Sequence, residues 1–234
     1  MCGFVAIVSS DNATPDRGLL ARMSETISHR GPDDSGIFAE AGVGLAFRRL
    51  SILDLAPSGH QPMLSPDQRH VIVFNGEIFN YIELRTELEG LGHTFRSTGD
   101  TEVLLTAYRQ WGTDCLRRFN GMWAFVIYDR VERTLFGARD RFGVKPLFWH
   151  RSGNSLVFAS EIKAIRDSAY TSLQPDWSTV SAFLLEGRLD QDDASFYAGV
   201  TRVPAGTAFM VDAEARMKTW RHWSLEEALS LIHI

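Results

Sequence analysis

Residues 122–139 read MWAFVIYDRVERTLFGAR, and this stretch decides the fold. Two apolar runs rich in β-branched and aromatic residues flank Val131-Glu132-Arg133, a spacing that predicts a hairpin. A second pair follows at once, PLFWHR (146–151) and SLVFASE (155–161), around Ser152-Gly153-Asn154. Tandem hairpins imply an antiparallel sheet, and helical segments elsewhere in the chain must then supply its outer cover.

Those segments are legible on both sides of the hairpins. HVIVF (70–74) reads as a further strand that ends abruptly at Asn75-Gly76, with short strands at 35–40 and 43–48 and a buried one at 3–8. Thr14-Pro15 opens a helix with proline at its first position, running to about Ser28. Asn80-Tyr-Ile-Glu83 has the form of a capping box, and Leu84, Leu88 and Leu91 give the following helix an apolar stripe. Asp100 is placed to cap another helix, with Val103, Leu104, Ala107, Tyr108 and Trp111 inward and Gly112 at its end. Downstream, the pattern predicts a helix over 176–187 and strands at 207–211 and 217–220. Ser224-Leu-Glu-Glu227 reads as a capping box that opens a new helix. The six residues LSLIHI after it carry no helix terminator and are expected to be foreign to a truncated reading frame.

Bulk properties exclude several classes. At 234 residues and 44% hydrophobic, the chain can bury a substantial core. A net charge of −5 argues against non-specific nucleic-acid binding, which needs a clustered basic face. No apolar run approaches the roughly 20 residues that span a bilayer, and the N-terminus lacks the parts of a secretory signal, so a cytoplasmic protein is expected. Cys2 and Cys115 form no metal-binding spacing. Cys115, between Asp114 and Leu116, reads as a small buried thiol at a short helix.

Several residues could carry chemistry. Once Met1 is trimmed, Cys2 has both a thiol and a free α-amine. The amine, with a reference pKa near 8, can take the thiol proton and later return one to a leaving group. The other readings of Cys2 are an accident of position or an acylation site. Asn75-Gly76 can present a side-chain amide and a backbone N–H to one point, as an oxyanion hole requires, or it can be a tight hairpin turn. Arg48-Arg49 at a strand end can grip a carboxylate or remain a solvated pair. Asp100 offers a carboxylate at a helix start or a plain cap. HRGPDD (29–34) and ARDRFGVKP (138–146) read singly as surface loops.

Taken in order, these motifs form a recognisable series. Met-Cys-Gly, HRGPDDSG, RRLSILDL, GHQPM, FNGEIFNY, GHTFRSTGDTEVLL, NGMWAFVIYD, GARDRFGVKPLF and FASEIKAI follow one another, and the series resembles the N-terminal glutaminase domain of the asparagine synthetases, within the class II glutamine amidotransferases. The resemblance runs through residues 2–166 almost continuously and more loosely to Trp223. It implies the four-layer αββα sandwich of antiparallel sheets found in N-terminal-nucleophile hydrolases, an α+β fold. It makes residues 2–223 the glutaminase domain and 224–234 an aborted start of the next.

Position by position, the resemblance makes Cys2 the nucleophile and Asn75 and Gly76 the oxyanion hole. Arg49 becomes the partner of the substrate α-carboxylate, and Glu77 and Asp100 the partners of its α-ammonium. One cation and two anions suit the zwitterionic end of glutamine. No cofactor is implied for this domain. ATP and Mg belong to a C-terminal synthetase domain whose Ser-Gly-Gly-x-Asp-Ser loop does not occur here. The implied partners are glutamine and that missing domain, with neither nucleic acid nor membrane. Surface left uncovered is expected to favour self-association, possible as a homo-oligomer. Met122 and residues 142–146 are implied to lie beside an ammonia path. Two other functions fit the same residues: a glutamine-binding regulatory module without turnover, and an N-terminal-nucleophile amidase for another amide.

Overall fold

The structure is a computed structural model that describes residues 1–168, 174–189 and 192–230. In chain order the first strands are β1 (Gly3–Ser9), β2 (Asp34–Glu40), β3 (Val43–Arg49), β4 (Met63–Leu64), β5 (His70–Ile78) and β6 (Gly121–Asp129). They are followed by β7 (Thr134–Arg139), β8 (Phe148–Ser152), β9 (Ser155–Ala159), β10 (Val200–Arg202), β11 (Thr207–Val211) and β12 (Met217–Arg221). The helices are α1 (Arg17–Glu25), α2 (Tyr81–Gly90), α3 (Asp100–Trp111), α4 (Ile162–Arg166), α5 (Trp177–Glu186) and α6 (Leu225–Ser230). The last four residues of LSLIHI lie outside the described residues.

Both hairpins form. β6 pairs with β7 and β8 with β9, each antiparallel, and they enter different sheets. One six-stranded sheet has the order β10-β8-β9-β1-β3-β2, the other β12-β11-β7-β6-β5-β4. Strand alternation sorts the side chains into layers. Phe4, Ala6 and Val8 of β1 face Val71 and Val73 of β5 across the gap between the sheets. Phe158 stacks on Phe209 there, centroids 4.7 Å apart. Val5 and Ile7 turn the other way, onto Leu20 and Met23 of α1 and Ile165 of α4. On the far side, Ile72, Phe74 and Phe125 pack under Leu84 and Leu88 of α2 and Val103 and Leu104 of α3. The result is helix, sheet, sheet, helix, the expected αββα sandwich. Each fully buried Leu, Val or Phe contributes about 1.5–3 kcal/mol to holding the layers together.

Local readings differ from the structure at several points. β5 does not end at Asn75-Gly76. Its pairing with β6 continues through Ile78, so the tight-turn reading of Asn-Gly is overridden by a full-length partner strand. α1 begins at Arg17, capped by Asp16, whose carboxylate accepts from Leu19 N at 2.7 Å; Pro15 lies outside the helix. Asn80 precedes α2 but makes no side-chain cap. Its amide instead joins Arg118 O at 2.9 Å and Asn120 N at 2.9 Å, tying the helix to the strand entry. Leu91 is exposed, so the α2 stripe ends at Leu88. The short elements β4, β10 and α4 are too brief to show a period in the sequence.

Candidate active site

The two-residue period of the strands places the chemistry-bearing side chains. Cys2 lies two residues before Phe4 and packs into the layer between the sheets. Arg49 lies two after Phe47, on the same face of β3. Asn75 and Glu77 continue the inward series of Val71 and Val73 on β5, in the opposite sheet. Gly3 pairs with Arg48, which brings Cys2 against the exit of β3. There the Cys2 thiol donates to Leu50 O at 3.5 Å, and Sγ accepts from Leu50 N at 3.3 Å. Burial pushes the thiol above its ordinary pKa, against the pull of the Leu50 N–H, the N-terminal charge and Arg49. A thiol so placed needs a local base to become a nucleophile.

The outer edge of β5 supplies the second component. Phe74 N donates to Gln61 Oε1 at 2.7 Å, and Gln61 Nε2 donates to Phe74 O at 3.4 Å, so one side-chain amide imitates a strand partner. Four residues on, Ile78 N donates to Asp100 Oδ2 at 2.9 Å. Antiparallel geometry alternates the direction of N–H groups, so Gly76 N–H shares this edge, between the other two. The Asn75 side chain is buried, and its Nδ2 has no hydrogen-bond partner among the described residues. Gly76 is sterically required. A Cβ there would sit 2.4 Å from Met122 O and 2.5 Å from Phe74 Cε2. The pair therefore presents an orphaned amide N–H₂ and a backbone N–H beside each other, the donor set that stabilises an oxyanion.

Charged groups frame the rest. The two arginines of β3 part company: Arg48 pairs with Glu25 of α1, while Arg49 is buried on the cavity side. The Arg49 guanidinium donates to Ala56 O at 3.1 Å and to Asp54 O. Asp100 is the first residue of α3, capped by Gly99, so it is not the helix cap. Burial, reinforced by Glu77 and opposed by Ile78 N–H, pushes its carboxyl up to about 6. A carboxylate held this way gains from a cationic partner.

The two loops that read singly as surface features are structural parts of the site. Arg30 is buried, donating from Nε to Cys2 O at 2.9 Å and from Nη1 to Glu161 Oε1 at 2.9 Å. Gly31 permits this approach, since a Cβ would meet Arg48 C at 2.4 Å. In the other loop the buried Asp140 accepts from Trp123 N, Phe142 N, Val144 N and Lys145 N at 2.9–3.2 Å.

All six residues singled out from the sequence, Cys2, Arg49, Asn75, Gly76, Glu77 and Asp100, line one cavity of about 400 Å³. Asp54, Gln61, Thr101, Met122 and Lys145 line it too. Asp54 and Gln61 lie within the RRLSILDL and GHQPM motifs, and no spacing pattern connects them to the distant backbone groups they bond, Thr98 N and Phe74 N and O. Among the described residues no cluster of three or more His, Cys, Asp or Glu could hold a metal ion, and no helix is long and apolar enough to cross a membrane.

A model of the glutamine amidotransferase domain matches residues 1–223. Asparagine synthetase [glutamine-hydrolyzing] 1 of Bacillus subtilis is 37% identical over 94% of this chain and 35% of its own length. Asparagine synthetase [glutamine-hydrolyzing] 3 of the same organism is 35% identical over 97% of the chain and 37% of its own. The chain thus spans about a third of the length of these relatives. The glutamine phosphoribosylpyrophosphate amidotransferase of B. subtilis superposes with a TM-score of 0.69 at 21% identity, over 95% of this chain and 49% of that one, which establishes a shared fold.

Proposed function

This chain belongs to the glutamine amidotransferase domain family, and from that premise we propose that it hydrolyses glutamine to glutamate and ammonia through a thioester on Cys2. The observation that carries the reading is the buried, unpartnered Asn75 Nδ2 beside the outward N–H edge of Gly76, facing the same cavity as the Cys2 thiol.

The steps follow from the groups present. With Met1 in place Cys2 N is an amide and cannot act as a base, so Met1 is removed first. The freed α-amine accepts the thiol proton, and Sγ attacks the side-chain amide carbon of glutamine. The carbonyl oxygen becomes an oxyanion held by Asn75 Nδ2 and Gly76 N–H. Collapse breaks the C–N bond, the α-ammonium passes its proton to the leaving nitrogen, and ammonia departs. Water, deprotonated by the same amine, then cleaves the thioester and frees glutamate. Arg49 takes the α-carboxylate, and Glu77 and Asp100 take the α-ammonium, which orients the neutral amide toward Sγ.

In the relatives named as asparagine synthetases, the extra length is proposed to use this ammonia with ATP and Mg to amidate an acid. Met122 and Val144, both at the cavity wall, are proposed to border its exit. Trp177, Leu184 and Leu185 of α5 are 69%, 72% and 83% exposed, a surface that supports self-association of the isolated chain.

The test is direct. Cys2→Ala is expected to abolish glutamate release, and a glutamine-mimicking electrophile is expected to label Cys2 and no other residue. Full glutaminase activity in Cys2→Ala overturns the mechanism. A preparation that retains Met1, or carries an N-terminal tag, is expected to be inactive.

A further inference from the structure

The cavity has two poles for the amino-acid end of a substrate, Arg49 from one sheet and Asp100 from the start of α3. One carboxylate that belongs to neither pole joins them. Asp54 is buried in the 50–62 segment between β3 and β4. Its Oδ2 accepts from Thr98 N at 3.1 Å, two residues before Asp100. The same carboxylate accepts from Ala56 N at 2.9 Å and Ser58 Oγ at 3.1 Å, which folds its own segment around it. The main-chain carbonyls of Asp54 and Ala56 in turn take two N–H groups of Arg49. Two glycines permit the closeness. A Cβ on Gly59 would lie 2.1 Å from Arg49 Nη2, and one on Gly99 would lie 3.3 Å from Asp54 Cβ.

We infer that Asp54 is a positioning residue that fixes the spacing between the cationic and anionic poles, and so sets selectivity for a free α-amino acid. The inference rests on the glutaminase reading above. The carboxylate and ammonium of an amino acid sit on one carbon, so their partners must keep a fixed separation to engage both. Arg49 cannot shift without breaking its two carbonyl contacts, and the segment carrying those carbonyls cannot shift without releasing Thr98. Among the described residues the Asp54 carboxylate bonds to Ala56, Ser58 and Thr98, and not to Cys2 or the Asn75-Gly76 pair. Its loss is therefore read in substrate binding and discrimination, with the chemical step intact.

Asp54→Asn keeps the shape and one acceptor oxygen but removes the second. The expected result is a glutamine KM raised about tenfold with kcat within about threefold of wild type. The preference for glutamine over glutaminamide, whose α-carboxylate is blocked, should fall at least about fivefold. Ser58→Ala, a milder change that removes a single bond to Asp54, should shift KM the same way by about twofold to threefold. A merely structural role would lower thermal stability and the active fraction while leaving the glutamine-to-glutaminamide ratio unchanged. An unchanged ratio in both variants overturns the inference. Calorimetric titration of both ligands into wild type and variants reads the same discrimination without turnover. A failed glutaminase mechanism, seen in Cys2→Ala, is thus separable from a failed role for Asp54.

Discussion

Two buried carboxylates, Asp100 in the cavity lining and Asp140 outside it, have opposite surroundings. Asp140, behind the wall formed by Val144 and Lys145, accepts from four backbone N–H groups. Asp100, in the cavity lining, takes one strand N–H from Ile78, lies near Glu77, and is pushed up to about 6 by burial. The first is a completed bond network that shapes a loop. The second is a charge with an unmet demand for a cation. A completed group serves the fold, whereas an incomplete one that faces a cavity is free to meet a ligand. Asn75 falls on the incomplete side, with a buried amide nitrogen and no partner.

Substitutions test that division. Asp140→Ala strands four donors at once, and the chain should lose about 4 kcal/mol of stability, read as a lower urea midpoint. A shift below about 1 kcal/mol would show that water replaces the carboxylate freely and that the contrast with Asp100 is empty. Asn75→Ala should do the reverse. Stability should stay within about 1 kcal/mol, because an orphaned donor is removed, while kcat falls about 100- to 1,000-fold from loss of one oxyanion contact. A large stability loss with normal turnover would move Asn75 to the structural group.

The same division explains what could be read from the sequence. The strands were legible because buried β-branched and aromatic runs carry their own signal, and 122–139 forms the hairpin it reads as, although that hairpin and the next enter two different sheets instead of one. Asn75-Gly76 was misread as a strand end because a local turn preference yields to pairing with all of β6. Asn80 and Asp100 were misread as caps because their side chains are committed to distant backbone, Arg118 O and Asn120 N in one case and Ile78 N in the other. At the site, the six candidate residues that share the cavity lining followed from motif order. The supports, Asp54, Gln61 and Arg30, did not, since each bonds to main-chain atoms that no spacing rule connects to it.

Asp100 also gives a stability prediction with a definite sign. Its pKa of about 6 in the folded chain lies above the ordinary carboxylate value of 3.8. Its favourable contribution is thus complete below the ordinary value and is lost as pH rises through about 6, so the ionised group costs stability at pH 7. Asp100→Asn keeps an acceptor for Ile78 N–H and removes the charge. It should raise stability by about 2 kcal/mol at pH 7, with no gain at pH 3.5, while glutamine binding is lost. Equal stability at both pH values would mean the carboxylate is not destabilised by its setting.

The smallest effect is the pH dependence of ligand binding, best measured in Cys2→Ala so that no chemistry intrudes. Only ionised Asp100 can pair with the α-ammonium of glutamine, and with a pKa of about 6 its ionised fraction falls from about nine-tenths at pH 7 to about one-tenth at pH 5. The glutamine Kd should therefore rise about tenfold over that interval. Glutaminamide, which keeps the ammonium, should show the same slope from a weaker starting affinity, whereas an analogue with a blocked amine should bind without pH dependence. A flat Kd for glutamine between pH 7 and pH 5 would mean that the ammonium is held by Glu77 alone, and Asp100 would join Asp140 among the groups that serve the fold.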